Sequence, residues 1–384
     1  IKRRGDPTEG SNPSFSAKPN KHLKKPFVIE RLFSYSAVSL TGRQMPHLEQ
    51  SSKLDLLRYV AKWVALATVV AALAGSASAL FLFALDWATQ TRETNRWLIW
   101  GLPVAGFCVG WLYLKFGQRV EAGNNLLIDE IHDPQKVVLL RMAPFVLGGT
   151  VISHLFGASV GREGTAVQMG GALADQLTHF FKLSHVDRRM VLMAGISAGF
   201  ASVFGTPLAG AVFALEVLAI GRMRLDALLP CVMAAVVADQ VGLLWGVQHT
   251  PYDVGLVPHI TAWLLVAMVV AGAVFGLAGK VFADGTHALS AVMKKHIAYA
   301  PLRPLLGGAV IAAVVMWGSF DRYIGLGIPV MVEAFAHPLA PTDFLGKMVF
   351  TIASLGSGFK GGEVTPLFYI GATLGNALAP LLDV

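Results

Sequence analysis

From Leu54 onward the chain is a succession of apolar stretches with little polar sequence between them. These run roughly over 59–87, 97–116, 138–157, 165–181, 190–203, 207–220, 227–247, 260–283, 302–320, 344–356 and 364–382. A helix that spans hydrocarbon needs about 20 residues, and several of these are clearly shorter. They are broken by glycine-rich turns rather than by long loops. Interrupted helices are tolerated in a membrane only where their ends face protein or a water-filled cavity. Broken helices in matching halves point to a transport site. The expected fold is therefore an all-α polytopic membrane protein with short, broken, tilted helices. Composition agrees, since only 14% of the 384 residues are charged against about 25% in an average soluble domain. That is too little charge to coat a water-facing globule. Forty glycines fit the same picture, because small residues let membrane helices pack closely.

Residues 1–52 differ in kind. They are polar, rich in Ser, Pro, Lys and Asn, without helical period, and are expected to form a disordered extension ahead of a membrane core over 53–384. The first methionine is Met45. Residues 1–44 are read as a translated upstream region or a fusion, with a basic cytoplasmic tail as the alternative. No secretory signal pattern is visible. The formal charge of +7 reflects this stretch and short basic loops, so the positive-inside rule explains it and no nucleic-acid partner is expected. Cys108 and Cys231 both lie in apolar segments and are read as small core residues, with no disulfide or zinc spacing. No cofactor or metal is expected.

An internal repeat is visible at an offset of 200 residues. Gly161, Glu163, Thr165, Gly171 and Ala172 match Gly361, Glu363, Thr365, Gly371 and Ala372. A Gly-Glu-Thr helix start thus stands in each half, the first repeat covering about 53–250 and the second about 251–384.

Each start has a physical meaning. In Gly161-Arg162-Glu163-Gly164-Thr165, glycines bracket a charged pair before an apolar helix. Helix N-termini leave backbone N–H groups unpaired, and those donors and the dipole favour an anion. Glu163 is a carboxylate held where a mobile anion would sit. Ionised, it can occupy the site; protonated, it can leave, so one side chain serves as gate and proton carrier. The bland alternative is a first-turn Glu that complements the dipole or pairs with Arg162, but an ionisable residue inside a membrane is functional by default. In Lys360-Gly361-Gly362-Glu363-Val364-Thr365-Pro366, Pro366 suits a first helical turn and Thr365 either caps the helix or offers a hydroxyl to the anion. Glu363 is a second intramembrane acid, or else a dipole partner of Lys360. In Gly123-Asn124-Asn125, an amide N–H can reach an anion, or an Asn simply caps a helix. The run from Gly195 to Glu216 reads as two small-residue-rich helices joined by Gly205-Thr206-Pro207 and serving close packing.

These stretches resemble the CLC family of anion channels and transporters. GREGTAVQMGG resembles the family's GREGP motif, GSGFKGGEVTPLFYIGATLG resembles GxFxPxxxxGAxxG, and AGFASVFGTPLAGAVFALE resembles AGxAAxFxxPLAGxxFxxE, in the family's order. The resemblance implies an inverted-repeat fold, a homodimer with one anion pathway per subunit, and Glu163 as the external gating glutamate. Gly161, Arg162, Gly164, Thr165, Gly362, Val364 and Thr365 are then expected around the anion. The departures are specific. Asn124 stands where GSGIP supplies a serine, Thr165 where chloride members carry proline, and Glu363-Val364 where they commonly carry Ile-Phe. Glu216-Val217 lacks the second glutamate of many chloride/proton exchangers. This set resembles the fluoride-exporting branch and implies fluoride/proton antiport, with Glu163 and Glu363 coupling protons; a chloride channel or chloride/proton exchanger is the alternative. The family's central tyrosine is expected beyond Val384, with the second repeat truncated. The location implied is a bacterial inner membrane. No His-Glu-x-x-His and no Gly-x-Ser-x-Gly with a base is present, so enzyme activity is not expected.

Overall fold

The computed structural model describes residues 46–117, 120–133, 137–216, 225–255 and 259–383, with side chains from Lys53 onward. The polar stretch 1–45 and Val217 lie outside these residues. The chain forms two units, Ile1–Leu57 and Arg58–Val384. Of the first, only the opening turns of a helix are described. Apart from those turns, the architecture belongs to the second.

Among the described residues there are thirteen α-helices, no β-strand and one isolated antiparallel bridge. In chain order they are α1 (Pro46–Thr94), α2 (Leu102–Phe116), α3 (Asn124–His132), α4 (Met142–Leu155), α5 (Glu163–Phe180), α6 (His185–Phe204), α7 (Pro207–Glu216), α8 (Leu228–Leu244), α9 (Ala262–His296), α10 (Leu302–Gly318), α11 (Ile328–Ala336), α12 (Asp343–Ser357) and α13 (Val364–Leu382). Five segments among the described residues are long and apolar enough to cross a membrane: Lys53–Thr94, Arg96–Phe116, Leu225–Leu244, Ala262–His296 and Val364–Leu382. The apolar helices α4, α7 and α10 are shorter. The protein is thus a multi-pass, all-helical membrane protein, and it leaves large apolar residues exposed, including Trp97, Trp100, Leu244, Val269 and Trp317.

The Arg96–Phe116 segment, roughly 30 Å long at about 1.5 Å per residue, defines two faces. At the first, Arg96 pairs with Asp321 at 2.7 Å. The second holds Gly117 and Val120–Gly123, and there Lys62 near the start of α1 bonds Asp187 at the start of α6 at 2.8 Å.

The core is built on close helix crossings. A Cβ on Gly195 or Gly199 would run into the backbone of α5, at Gly170 and Ala166. The small-residue reading of this stretch therefore holds. Gly205 ends α6 at φ +68°, a left-handed conformation that glycine adopts freely, and the chain turns into α7 at Pro207. Three helices are pinned by one buried cation. Arg188 on α6 grips Asp175 on α5 through two nitrogens, at 2.6 and 2.9 Å, and reaches Glu130 on α3 at 3.2 Å.

Two expectations need correction. Cys231 is buried, but Cys108 is exposed on α2 and is no core residue. The helices α3 and α11 were absent from the apolar stretches; both are nine residues long, and α3 carries Asp129 and Glu130.

Candidate functional site

The two glycine-bracketed helix starts meet. Gly161 N–H donates to the Gly362 carbonyl at 2.6 Å, and Gly362 N–H donates back to Gly161 at 2.8 Å. Two residues beyond this bridge on each strand, α5 begins at Glu163 and α13 at Val364. The segment leading in is fixed against α12: Ser159 N–H donates to Ser354 Oγ at 2.9 Å, and the Ser159 and Thr351 hydroxyls lie 2.9 Å apart.

Glu163 sits at this junction, 1% exposed. Its Oε1 accepts from the backbone N–H of Thr365 at 3.0 Å and from the Thr365 hydroxyl. Its Oε2 is buried without a hydrogen-bond partner. Built Cβ atoms on Gly161 and Gly362 would each lie 2.6 Å from Oε2, so only glycine leaves room for the carboxylate on either side. The carboxylate of one helix start therefore occupies the N-terminal donors of the other, where an anion is favoured by geometry and dipole. One oxygen is satisfied and the other bare, and a proton or a new donor can be met at the bare one.

The other expected residues distribute unevenly. Thr165 is buried, but its hydroxyl lies 2.6 Å from that of Thr150 and is committed there. Gly123, not Asn124, is the N-cap of α3, so the capping alternative for Asn124 is overturned; Asn124 is the first helical residue, and its amide Nδ2 faces Gly164, 3.4 Å from a built Cβ there. Arg162 caps α5 without an ion pair to Glu163, its Nε buried and unpartnered. Glu363 is the N-cap of α13 and is exposed. It is not the structural counterpart of Glu163. The bridge pairs Gly161 with Gly362, and the helix starts pair Glu163 with Val364, so the repeat offset is 201 residues rather than 200. Nor does Lys360 partner Glu363: its ammonium lies 4.3 Å above the Tyr113 ring.

Several residues around the junction had no signal in the sequence. Cavities of about 660 and 1140 Å³ share Arg162, His249, Thr250 and Ile328, and the larger reaches Thr365. The smaller holds Glu93 and Asp321 and so opens at the first face. The His249 Nε2 is buried without a partner. Burial, with Arg162 nearby, holds its imidazole below the ordinary value, against the pull of Asp239. Lys347 on α12 is fully buried and donates to the carbonyls of Gly325 at 2.6 Å and Tyr323 at 3.2 Å. Among the described residues it is in no ion pair. Arg92, also buried, reaches the His154 carbonyl at 3.4 Å and pairs with Glu93 at 3.4 Å. The lining of the smaller cavity carries Arg92, Arg162 and Arg322 together with Asp86, Glu93 and Asp321, so charges of both signs meet at this vestibule.

Broken helices whose N-termini converge on one buried carboxylate, beside a charged vestibule, define a class of multi-pass membrane proteins that handle small anions. The sequence comparison gives the family. The model of the family described as voltage gated chloride channel matches residues 105–384, and the chain belongs to this CLC family. It is 67% identical over 348 residues, 89% of this chain and 77% of the relative, to a "Chloride/fluoride channel protein" of Pseudomonas syringae pv. tomato. A crystal structure of a CLC-type fluoride/proton antiporter superposes with TM-score 0.81 at 35% identity, covering 84% of this chain and 82% of that one. A slow cyanobacterial Cl⁻/H⁺ antiporter shares the fold, with TM-score 0.71 at 21% identity over 83% and 79% of the two chains.

Proposed function

We propose that this protein exports fluoride in exchange for protons, with Glu163 as the gate that both ions use. The observation that carries the reading is the Glu163 carboxylate seated on the Thr365 N–H and hydroxyl. An incoming anion and the carboxylate compete for the same donors, and protonation releases the carboxylate to the anion. Fluoride suits the exchange because it is a strong hydrogen-bond acceptor and the conjugate base of a weak acid. The similarity to proteins described as a chloride/fluoride channel and a fluoride/proton antiporter supports this choice. Gly161, Arg162, Gly164, Gly362, Val364 and Thr365 line or brace the anion position, with Asn124 beside Gly164. The working form is a homodimer in a bacterial inner membrane. Lys115, Lys182, Lys294 and Lys295 follow or end helices at the second face, which the positive-inside rule makes cytoplasmic. The vestibule at Arg162 is then external.

The test is fluoride-driven proton uptake in proteoliposomes. Glu163→Gln removes the charge that competes with the anion, and uptake is expected to fall to the level of protein-free vesicles. Parental uptake by this variant sinks the reading. A chloride exchanger on the same scaffold is the alternative, and Asn124 separates the two. If its amide helps select fluoride, Asn124→Ser lowers the fluoride-to-chloride efflux ratio by about tenfold, equivalent to about 1.4 kcal/mol. An unchanged ratio removes Asn124 from the selectivity site.

A further inference from the structure

We propose that Glu121 is the group through which protons pass between the cytoplasm and the gate, by way of a polar cavity ending beside α5. This inference rests on the proton-coupled reading above. A carboxylate that exchanges protons with both sides of a membrane must be reached by protons from the side away from its vestibule, and the vestibule of Glu163 opens at the first face.

The other buried acids described are engaged elsewhere. Asp175 and Glu130 bind Arg188, Asp343 accepts from the Tyr323 hydroxyl at 2.8 Å and pairs with Arg322 at 2.9 Å, and Asp239 accepts from Gln240 at 3.3 Å. Glu121 differs. It is exposed at the second face, in the turn between α2 and α3, and it lines a cavity of about 210 Å³ with Tyr113, Gln168, Lys360, Thr150 and Thr165. The cavity is polar and has room for several ordered waters. The Tyr113 hydroxyl is buried without a hydrogen-bond partner, in a residue only 5% exposed. The Lys360 ammonium lies 4.3 Å above the Tyr113 ring. The Glu121 charge acts on both Lys360 and Tyr113, and Lys294 on α9 also acts on Lys360. Gln168 closes the cavity toward α3, its amide 3.2 Å from a Cβ built on Gly123.

The inner end of the cavity lies beside the gate, at its chain neighbours. Thr165 is two residues beyond Glu163, and Gly361, which also lines it, precedes the Gly362 that brackets the Glu163 carboxylate. The transfer is a proton relay. A Glu121 carboxylate oxygen takes a proton from water at the cytoplasmic face, forming one O–H bond as another breaks. The carboxyl then yields that proton to water in the cavity and returns to its charged form. Lys360 sets the field in which the carboxylate waits, and the Tyr113 hydroxyl is a donor and acceptor along the route. The direction reverses with the gradient.

The test measures fluoride efflux and fluoride-driven proton uptake together in proteoliposomes. Parental protein without proton uptake removes the proton-coupled reading, and this inference with it. With coupling present, Glu121→Gln is expected to cut proton uptake at least about tenfold while fluoride efflux stays near the parental rate. Glu121→Asp is expected to recover most of the uptake, and Tyr113→Phe to lower it by less than Glu121→Gln does. The dependence of uptake on cytoplasmic-side pH is expected to flatten in Glu121→Gln, while dependence on vestibule-side pH persists. The inference is overturned if Glu121→Gln keeps the parental proton-to-fluoride ratio. It is also overturned if both fluxes fall in step for Glu121→Gln and Glu121→Asp alike, because the cavity is then an anion entrance or a structural element.

Discussion

The starts of α5 and α13 share a backbone and differ in what they carry. Each follows an extended glycine segment, each contributes one glycine to the reciprocal bridge, and each begins two residues later. At the first helical position α5 carries Glu163, buried at the junction, and α13 carries Val364. At the second, Gly164 faces the Asn124 amide, whereas Thr365 turns its N–H and hydroxyl onto Glu163. One start is a plug and the other a socket. A duplicated helix start would favour an anion at both ends; side chains at two positions make one end supply its own. The acid of α13, Glu363, stands one position earlier, on the exposed side.

The sharpest way to break this arrangement is to fill the space between plug and socket. A Cβ at residue 362 would lie 2.6 Å from Glu163 Oε2 and 3.0 Å from Gly164 N. The first neighbour can swing away, but the second is backbone. Gly362→Ala is therefore expected to evict the carboxylate from Thr365 and to strain the bridge, with an overpacking cost of about 1–3 kcal/mol. Thermal unfolding in detergent should show a lowered midpoint, and liposomes should show fluoride efflux with little proton uptake. A parental midpoint with parental coupling contradicts the geometry at the junction.

A gentler change weakens the socket without filling it. Thr365→Val keeps the backbone N–H and the side-chain volume but removes the hydroxyl that bonds Glu163. A hydrogen bond to a charged group contributes about 1.5–3 kcal/mol, so the carboxylate should hold the site roughly ten- to a hundredfold less strongly. Partial uncoupling follows, with fewer protons per fluoride and efflux that is less pH-dependent. A proton-to-fluoride ratio equal to the parent's would assign the seat to the backbone alone.

The sequence carried the class of fold and the gate because both rest on local signals. Apolar runs interrupted by glycine mark broken helices, and Gly161-Arg162-Glu163-Gly164 names a helix start with its occupant. What it did not carry depends on approach between distant segments. The repeat register slipped by one because Gly and Ala matches are cheap in a chain with forty glycines, and only the Gly161–Gly362 bridge fixes it. Lys360 was paired in sequence with Glu363, three residues on, but it sits over Tyr113, nearly 250 positions away in the chain. His249 and Lys347 carry no motif, and each matters through what folds against it. The extension of α9 to His296 was missed for a different reason: its last turns include Lys294, Lys295 and His296, and helix continues where hydrocarbon ends.

The smallest expected effect concerns Glu363, and it asks whether the socket's own acid takes part. We propose that it assists proton movement near the junction, in a lesser role than Glu163. Its position argues for the difference in size. Glu163 is 1% exposed and bonded to the other helix start, whereas Glu363 is exposed and its side chain makes no capping hydrogen bond. A charge at a helix N-terminus contributes about 0.3–1 kcal/mol when exposed, so Glu363→Gln should leave the unfolding midpoint within the error of the parent. An assisting acid should still be felt kinetically. Proton-coupled fluoride efflux is expected to slow by about threefold, the equivalent of about 0.7 kcal/mol, with the proton-to-fluoride ratio unchanged because the gate itself is intact. A fall in that ratio as deep as that of Glu163→Gln would place both acids in one coupled pair and erase the distinction between plug and socket. A rate and pH dependence equal to the parent's would leave Glu363 as a surface acid that complements the dipole of α13.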